Sequence, residues 1–259
     1  MIDLSLFDHQ INKSIPVPLY FQLKNIILDE INNGNYAEGD VIPTEKEIST
    51  GFDLSRTTVR QAITELVQEG KLNRFKSKGT FVAKPKLKQG YTKRLETFDE
   101  TIKRLGMTPS TKLLNLSIID APDNVAEALN LKPGEKCIYI FRIRYADSEP
   151  NVIVQTWLPY NSCQFIIQHD LEKESLYSIL SKREDTRVNH INRLMEAVSA
   201  NAEDAKLLEI DLGRPIHLFT SIGYNPAGAP IEFSTAHYRG DRNRFEVDLY
   251  YTPPGTEKD

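Results

Sequence analysis

An α+β chain in two parts is predicted: a helical head closed by a short hairpin, then a larger domain built on an antiparallel sheet. Three observations predict it. Early in the chain apolar residues recur at spacings of three and four, the period of a helix that buries one face. Beyond Leu113 they tend instead to alternate, the period of a strand. Between the two runs a basic stretch, Lys71 to Leu95, with no Asp or Glu.

Leu19, Leu23, Ile26, Ile27 and Ile31 make the buried stripe of a first helix, closed by Asn33-Gly34. A turn through Gly39-Asp40 leads to Pro43. Thr44 and Glu47 then stand at the spacing of a capping box, in which hydroxyl and carboxylate satisfy each other's helix-end donors. A short second helix follows, with Ile48 and Phe52 facing inward, and Gly51 to Leu54 is read as the turn behind it. Ser55 supplies the N-cap hydroxyl of a third helix. Val59, Ala62, Ile63, Leu66 and Val67 are its stripe, and Gly70 is its stop. Leu72–Phe75 and Thr80–Ala83 pair as two strands around Lys76-Ser77-Lys78-Gly79. Helix, short helix, turn, helix and hairpin in that order are a winged helix-turn-helix.

Arg56, Thr57, Thr58 and Arg60 fall at the N-terminal end of the third helix, off its buried stripe. A helix that points its first turn into the major groove needs this arrangement. Its positive dipole end and hydroxyls meet phosphate, and its arginines reach guanine edges or backbone. Ser55 to Arg60 alone is equally compatible with a solvated amphipathic face. The acid-free run beside it favours a polyanion, because the whole chain carries a net charge of -4 and yet concentrates Lys71, Arg74, Lys76, Lys78, Lys84, Lys86, Lys88, Lys93 and Arg94 in one place.

Residues 18–83 resemble the N-terminal domain of GntR-type bacterial transcription regulators. The elements that carry the resemblance are Pro18-Leu19-Tyr20, Gly34-Asn35-Tyr36 with Gly39-Asp40, Ile42-Pro43-Thr44-Glu45, Ser55 through Ala62, Glu69-Gly70, and Lys78-Gly79-Thr80-Phe81-Val82. The resemblance implies DNA contacts from Lys46, Arg56, Thr57, Thr58 and Arg60. It also places a wing tip, here Lys76, Ser77, Lys78, Gly79 and Thr80, in the minor groove. Ser77 stands where the family commonly has glycine.

At 259 residues the chain has room for two cores. The expected division is a head over residues 1–83, a linker over 84–95 marked by Pro85, lysines and Gly90, and a second domain over 96–259. Phe98, Ile102 and Leu105 suggest a helix that Gly106 ends, and Pro122 to Leu129 another. Strands are expected at Leu113–Ile119, Lys136–Tyr145, Val152–Leu158, Val188–Ser199, Ile216–Tyr224, Ile231–Tyr238 and Arg244–Tyr250, with the helices on one side of the sheet. Within Lys136–Tyr145, Ile138, Ile140, Arg142 and Arg144 share one face. Two guanidiniums side by side are either ion-paired surface groups or a clamp for a phosphate or carboxylate. Ser175 and Tyr177 offer hydroxyl donors to such a ligand.

This second part resembles the UTRA effector domain of the HutC subgroup of GntR regulators, over about residues 93–250. Leu95 with Thr97-Phe98, Arg104-Leu105-Gly106 with Pro109, Leu129 to Gly134, Arg142-Ile143-Arg144 with Pro150, Leu158-Pro159, Ser175-Leu176-Tyr177, and Ile231-Glu232 through Tyr238 to Arg242 carry it. The resemblance implies a chorismate lyase-like fold, a small-metabolite effector and a homodimer on a palindromic operator. Arg142, Arg144, Ser175 and Tyr177 match the family's phosphate-holding positions. Thr97, Glu232 and Tyr238 are further candidate contacts. Asp99 departs from the hydroxyl residues usual near Thr97, and Val154 stands where amino-sugar binders tend to have an acid, so an anionic metabolite is expected while its identity stays open.

Two other readings stand beside a ligand-released repressor of a sugar-related operon. One is an enzyme of lyase-like fold with a DNA-binding appendage, although His169, His190, His217 and His237 are scattered and no nucleophile or metal arrangement appears. The other is a DNA-binding protein blind to ligand. No cofactor or metal is expected. No apolar run nears the roughly 20 residues that span a bilayer. Together with the lack of a secretory leader and two cysteines read as buried free thiols, this points to the cytoplasm.

Overall fold

The computed structural model describes residues 5–75, 78–84, 86–91 and 96–247. The chain falls into two compact units, Met1–Pro85 and Lys86–Asp259. Among the described residues no helix is long and apolar enough to cross a membrane.

The first unit holds α1 (Leu19–Asn32), α2 (Glu45–Gly51) and α3 (Arg56–Gln68), followed by the antiparallel strands β1 (Leu72–Phe75) and β2 (Gly79–Val82). Leu23, Ile27, Ile48, Val59, Ala62, Ile63, Leu66 and Leu72 are buried together, so the three helical stripes and the root of the hairpin form one core. The caps are those the sequence expects. Thr44 and Glu47 form a complete capping box. Ser55 accepts the backbone N–H of Thr58 at 3.1 Å, and Gly70 takes a positive φ just past α3. Gly51 closes α2 as its last helical residue and not the turn behind it; Asp53, with φ 50°, turns the chain. The sequence gives no warning of a 3-10 turn over Ser5–Asp8, whose Leu6 is buried in this core. Phe7 packs on Phe52 at 5.6 Å between ring centroids and fills the space where a Cβ on Gly51 would lie. Lys24 is buried between α1 and α3, held by Glu65 and Glu69.

The second unit adds β3 (Leu87–Tyr91), α4 (Phe98–Arg104), β4 (Pro109–Asp120), α5 (Asp123–Ala128), β5 (Lys136–Ala146), β6 (Glu149–Pro159), α6 (Tyr160–Cys163), α7 (Leu176–Leu180), β7 (His190–Ser199), α8 (Ala202–Leu207), β8 (Pro215–Tyr224), β9 (Pro230–Arg239) and β10 (Asn243–Val247). Six strands make one antiparallel sheet in the order β4-β5-β6-β9-β8-β7.

Two expectations need correction. Helices cover both faces of the sheet: α6 and α7 pack on the face of Ile138 and Ile140, while α5 and α8 cover the face of Cys137, Phe141, Ile153 and Trp157. The reason lies in β5, where Tyr139, Phe141 and Ile143 make the second face as apolar as the first. Residues 84–95 are not simply a linker, because β3 pairs in parallel with β10, Leu87 opposite Asn243 through Tyr91 opposite Val247. The last strand is described over Asn243–Val247, and positions 248–250 lie outside the described residues.

Cys137 and Cys163 are buried free thiols, and burial pushes Cys163 up to about 12. Gly240 is required where β9 ends: a Cβ there would stand 2.7 Å from the carbonyl oxygen of Pro215.

Candidate functional site

Two sets of cations face outward or inward according to the element that carries them. On the first unit, α3 begins at Arg56, so Arg56 and Thr57 project exposed from its first turn, with Thr58 half-buried beside them. Thr58 Oγ1 lies 2.8 Å from Ser55 Oγ, which ties both hydroxyls to the helix end. Arg60 lies one turn further on and is 65 % exposed. Its Nε donates to Glu45 Oε2 at 3.1 Å, while Arg74 of β1 donates to the other oxygen of the same carboxylate at 2.7 Å. Glu45 therefore joins the start of α2, the exposed side of α3 and the hairpin, a link that no local motif announces. Lys46 is exposed on the first turn of α2. In the hairpin, the N–H of Lys78 returns to the carbonyl of Phe75 at 3.1 Å, Gly79 has φ 120°, and the carbonyl of Thr80 accepts from Ile42 at 2.9 Å. Lys76 and Ser77 lie outside the described residues.

The second unit contains a cavity of about 690 Å³, bounded by α4, α7 and the β5, β6, β9, β8 and β7 strands. Thr97, Arg142, Arg144, Ser175, Tyr177, Glu232 and Tyr238 all line it. The register explains why. Arg142 stands opposite Val154 and Arg144 opposite Val152 on β6, so all four side chains rise from one face of the sheet. Ser234, Ala236 and Tyr238 extend the same face on β9.

Arg142 is only 4 % exposed, its side chain has no hydrogen-bond or ion-pair partner among the described residues, and its buried Nε is orphaned. Burial, and next the charge of Arg144, bring it down to about 10, so it stays a cation at neutral pH. A buried guanidinium without a hydrogen-bonded partner is costly, and the charges of Glu232 and Asp99 offset part of that cost. Arg144 is treated differently. Its Nη2 donates to Asp99 Oδ1 of α4 at 2.7 Å and its guanidinium stacks 4.6 Å from the Phe98 ring centroid, while its Nε too is buried without a partner. The Tyr177 hydroxyl donates to Glu232 Oε2 at 2.6 Å. Burial and the neighbouring Glu232 charge hold that phenol well above its usual range, so it remains a donor. Ser175 precedes α7 without making a capping bond, which leaves its hydroxyl to the cavity.

Thr97 has a second duty: its hydroxyl accepts the N–H of Glu100 in a capping box, so it is committed to α4 before any ligand is considered. Arg193, which the sequence reading passed over, lines the cavity from β7. It donates to Ser221 at 2.9 Å and lies over the Phe219 ring. Alternation with Ile191, another lining residue, is the signal that points to it. The four histidines weighed above keep structural company elsewhere: His169 with Glu174, His190 with Tyr224, His217 with Phe245 and His237 with Asp204. Among the described residues no group of three or more His, Cys, Asp or Glu could hold a metal ion.

Comparison with known proteins agrees with this division. Residues 19–82 match the bacterial regulatory proteins of the gntR family, and residues 104–244 match the UTRA domain. The chain is 32 % identical to the HTH-type transcriptional repressor NagR of Bacillus subtilis over 235 residues, which is 91 % of this chain and 96 % of that one. It is 29 % identical to the probable fructoselysine utilization operon transcriptional repressor of Escherichia coli, over 89 % of this chain and 94 % of that one. Among solved structures, PhnF from Mycobacterium smegmatis superposes with a TM-score of 0.63 at 26 % identity, covering 90 % of this chain and 99 % of that one.

Proposed function

The chain belongs to the gntR family of bacterial regulatory proteins, in the form that carries a UTRA domain, and from that premise we propose that it is a repressor of a sugar-related operon released by a small anionic metabolite. It is a DNA-binding transcription regulator and not an enzyme, as are its relatives. The observation that carries the effector class is Arg142, a buried cation facing a cavity whose side chain has no hydrogen-bond or ion-pair partner among the described residues. The relative named as a probable repressor of a fructoselysine utilization operon supports a sugar-derived ligand.

In this reading residues 1–83 are the DNA-binding head, and 96–259 bind the effector and hold two copies together on a palindromic operator in the cytoplasm. Arg56, Thr57, Thr58 and Arg60 enter the major groove, Lys46 contacts backbone, and the hairpin around Lys78 follows the minor groove. The signal leaves the cavity through aromatic rings. Phe219 and Tyr238 line the cavity and both touch Phe245 of β10, at 4.5 and 5.2 Å between centroids. β10 is paired with β3, the first strand after the head. A ligand that shifts Tyr238 thereby acts on the segment that joins the two units, to the extent that it prefers one arrangement over the other.

The deciding experiment measures operator binding by the full chain while phosphorylated and unphosphorylated sugars are titrated in. Release by one phosphorylated sugar in wild type, and its loss in Arg142→Gln, is the expected result. Release by an uncharged sugar with equal midpoint in both proteins would overturn the anionic reading.

A further inference from the structure

Arg142 and Arg144 lie two residues apart on one strand, yet only Arg144 is met by a carboxylate. The Asp99–Arg144 bond uses a single Nη, and the Nε on the same guanidinium has no partner. It is a one-point contact, weaker than the two parallel bonds a guanidinium can offer an anion. Arg144 is 10 % exposed at its side chain and Asp99 26 %, so the carboxylate has more water within reach than the arginine. Asp99 is the second residue of α4, and the first turn of that helix is pinned by the Thr97–Glu100 capping box. Its side chain can therefore swing to solvent by rotation about its own bonds without unwinding α4.

These facts set a competition. An anionic group that bridges Arg142 and Arg144 competes with Asp99 for the Arg144 charge, since two anions on one guanidinium at close range repel. A monocarboxylate would exchange one negative charge for another at Arg144. A phosphate monoester brings a second negative charge and three oxygens, enough to satisfy Arg142, Arg144 and the Ser175 hydroxyl together.

We propose that Asp99 is the specificity-determining residue of this cavity: it competes with the effector for Arg144 and so selects phosphate monoesters over carboxylates. The proposal rests on the reading of the cavity as an anion site. Val154, opposite Arg142, offers no carboxylate; Glu232 also lines the cavity and its charge reaches Arg142, but its Oε2 is engaged by the Tyr177 hydroxyl, so the carboxylate bonded to the arginine pair is Asp99.

The test titrates the full-length protein at pH 8 with inorganic phosphate and, separately, with acetate, following both heat of binding and thermal unfolding. Wild type should take phosphate and not acetate. Asp99→Asn should take phosphate about tenfold more tightly, the size of one charge-assisted contact, and should gain measurable acetate binding. Asp99→Ala should behave as Asp99→Asn does, which separates loss of charge from the new amide. Phosphate binding that is unchanged or weaker in both variants, with Tm preserved, would overturn the competition while leaving the anion site standing. Silence of wild type and both variants toward phosphate would overturn the anion site itself, and the proposal with it.

Discussion

Arg60 and Arg142 are the arginines that the proposed function assigns to anions, and the two units hold them in opposite ways. Arg60 stands 65 % exposed on a helix and rests on Glu45, which also receives Arg74. Arg142 is 4 % exposed in the wall of a cavity and its side chain has no hydrogen-bond partner among the described residues. The exposed pair costs little to hold and little to open, because water screens it. That suits a long polyanion, which is bound by many such cations at once and releases its counterions. The buried arginine gives up its hydration in advance, so one small anion recovers all of the loss at a single point. Under the proposed function the head would bind by the sum of many weak contacts, and the effector unit by one strong contact.

The contrast breaks most visibly at Arg142. Arg142→Met should reduce the effector's apparent affinity about a hundredfold, as two charge-assisted contacts are lost. The same change should raise Tm by about 2–4 °C, since an apolar chain of similar length replaces a cation that burial and Arg144 both disfavour. Operator binding without effector should be unchanged. A fall in Tm would show that Arg142 contributes to the fold and is not poised for a ligand.

At Arg60 or Arg56 the expected effect is smaller and lies on the other side of the comparison. Replacement of either by Ala should cost about 1–3 kcal/mol of operator binding, with relaxed preference at one base pair, and should leave effector binding alone. An equal loss on operator and random duplex assigns that arginine to phosphate. Unaltered binding in both variants would remove α3 from the major groove.

Lys78 belongs to the additive regime. Lys78→Ala should weaken binding to every duplex alike and flatten the slope of log K against log salt by about one unit. An unchanged slope would mean that the hairpin is a solvated face.

The two units also differ in how much of them the sequence discloses. In the head the informative signals are local. Thr44 and Glu47, Ser55 and Gly70 each act within a turn of the helix they bound, so spacing alone places α2 and α3. What escapes is tertiary: Leu6 and Phe7 entering the core, and Lys24 buried between α1 and α3. In the effector unit, strict alternation puts Arg142 and Arg144 on one face, and the cavity is found there. Asp99 as the partner of Arg144 is 45 residues away in the chain, and no periodicity links the two. The parallel pairing of β3 with β10 joins segments more than 150 residues apart, as the bond from Lys86 to the Gly240 carbonyl does. Covering of both sheet faces was legible in principle, from Tyr139, Phe141 and Ile143, yet alternation draws the eye to the face that carries charge.

One device appears in both units and gives the smallest and most closely matched test. Thr44 with Glu47 and Thr97 with Glu100 are both complete capping boxes at the start of seven-residue helices. Thr44→Ala and Thr97→Ala should each lower stability by about 1 kcal/mol, because each orphans a helix-end donor. Thr→Ser at either position should restore it, since the hydroxyl is kept. In the head, the Thr44 hydroxyl bonds only to Glu47 among the described residues and lies outside the cavity, so the effector midpoint should not move. Thr97 also lines the cavity, one residue from the Phe98 ring that stacks on Arg144. Thr97→Ala should therefore shift the effector midpoint a few-fold as well, through a looser first turn of α4, and Thr97→Ser should bring the midpoint back. Denaturant titration and operator release on the same four variants measure both quantities. Should Thr97→Ser recover stability and leave the midpoint shifted, the threonine methyl is a packing contact in the cavity; should Thr97→Ala leave the midpoint unmoved, the cap of α4 and the anion site are independent.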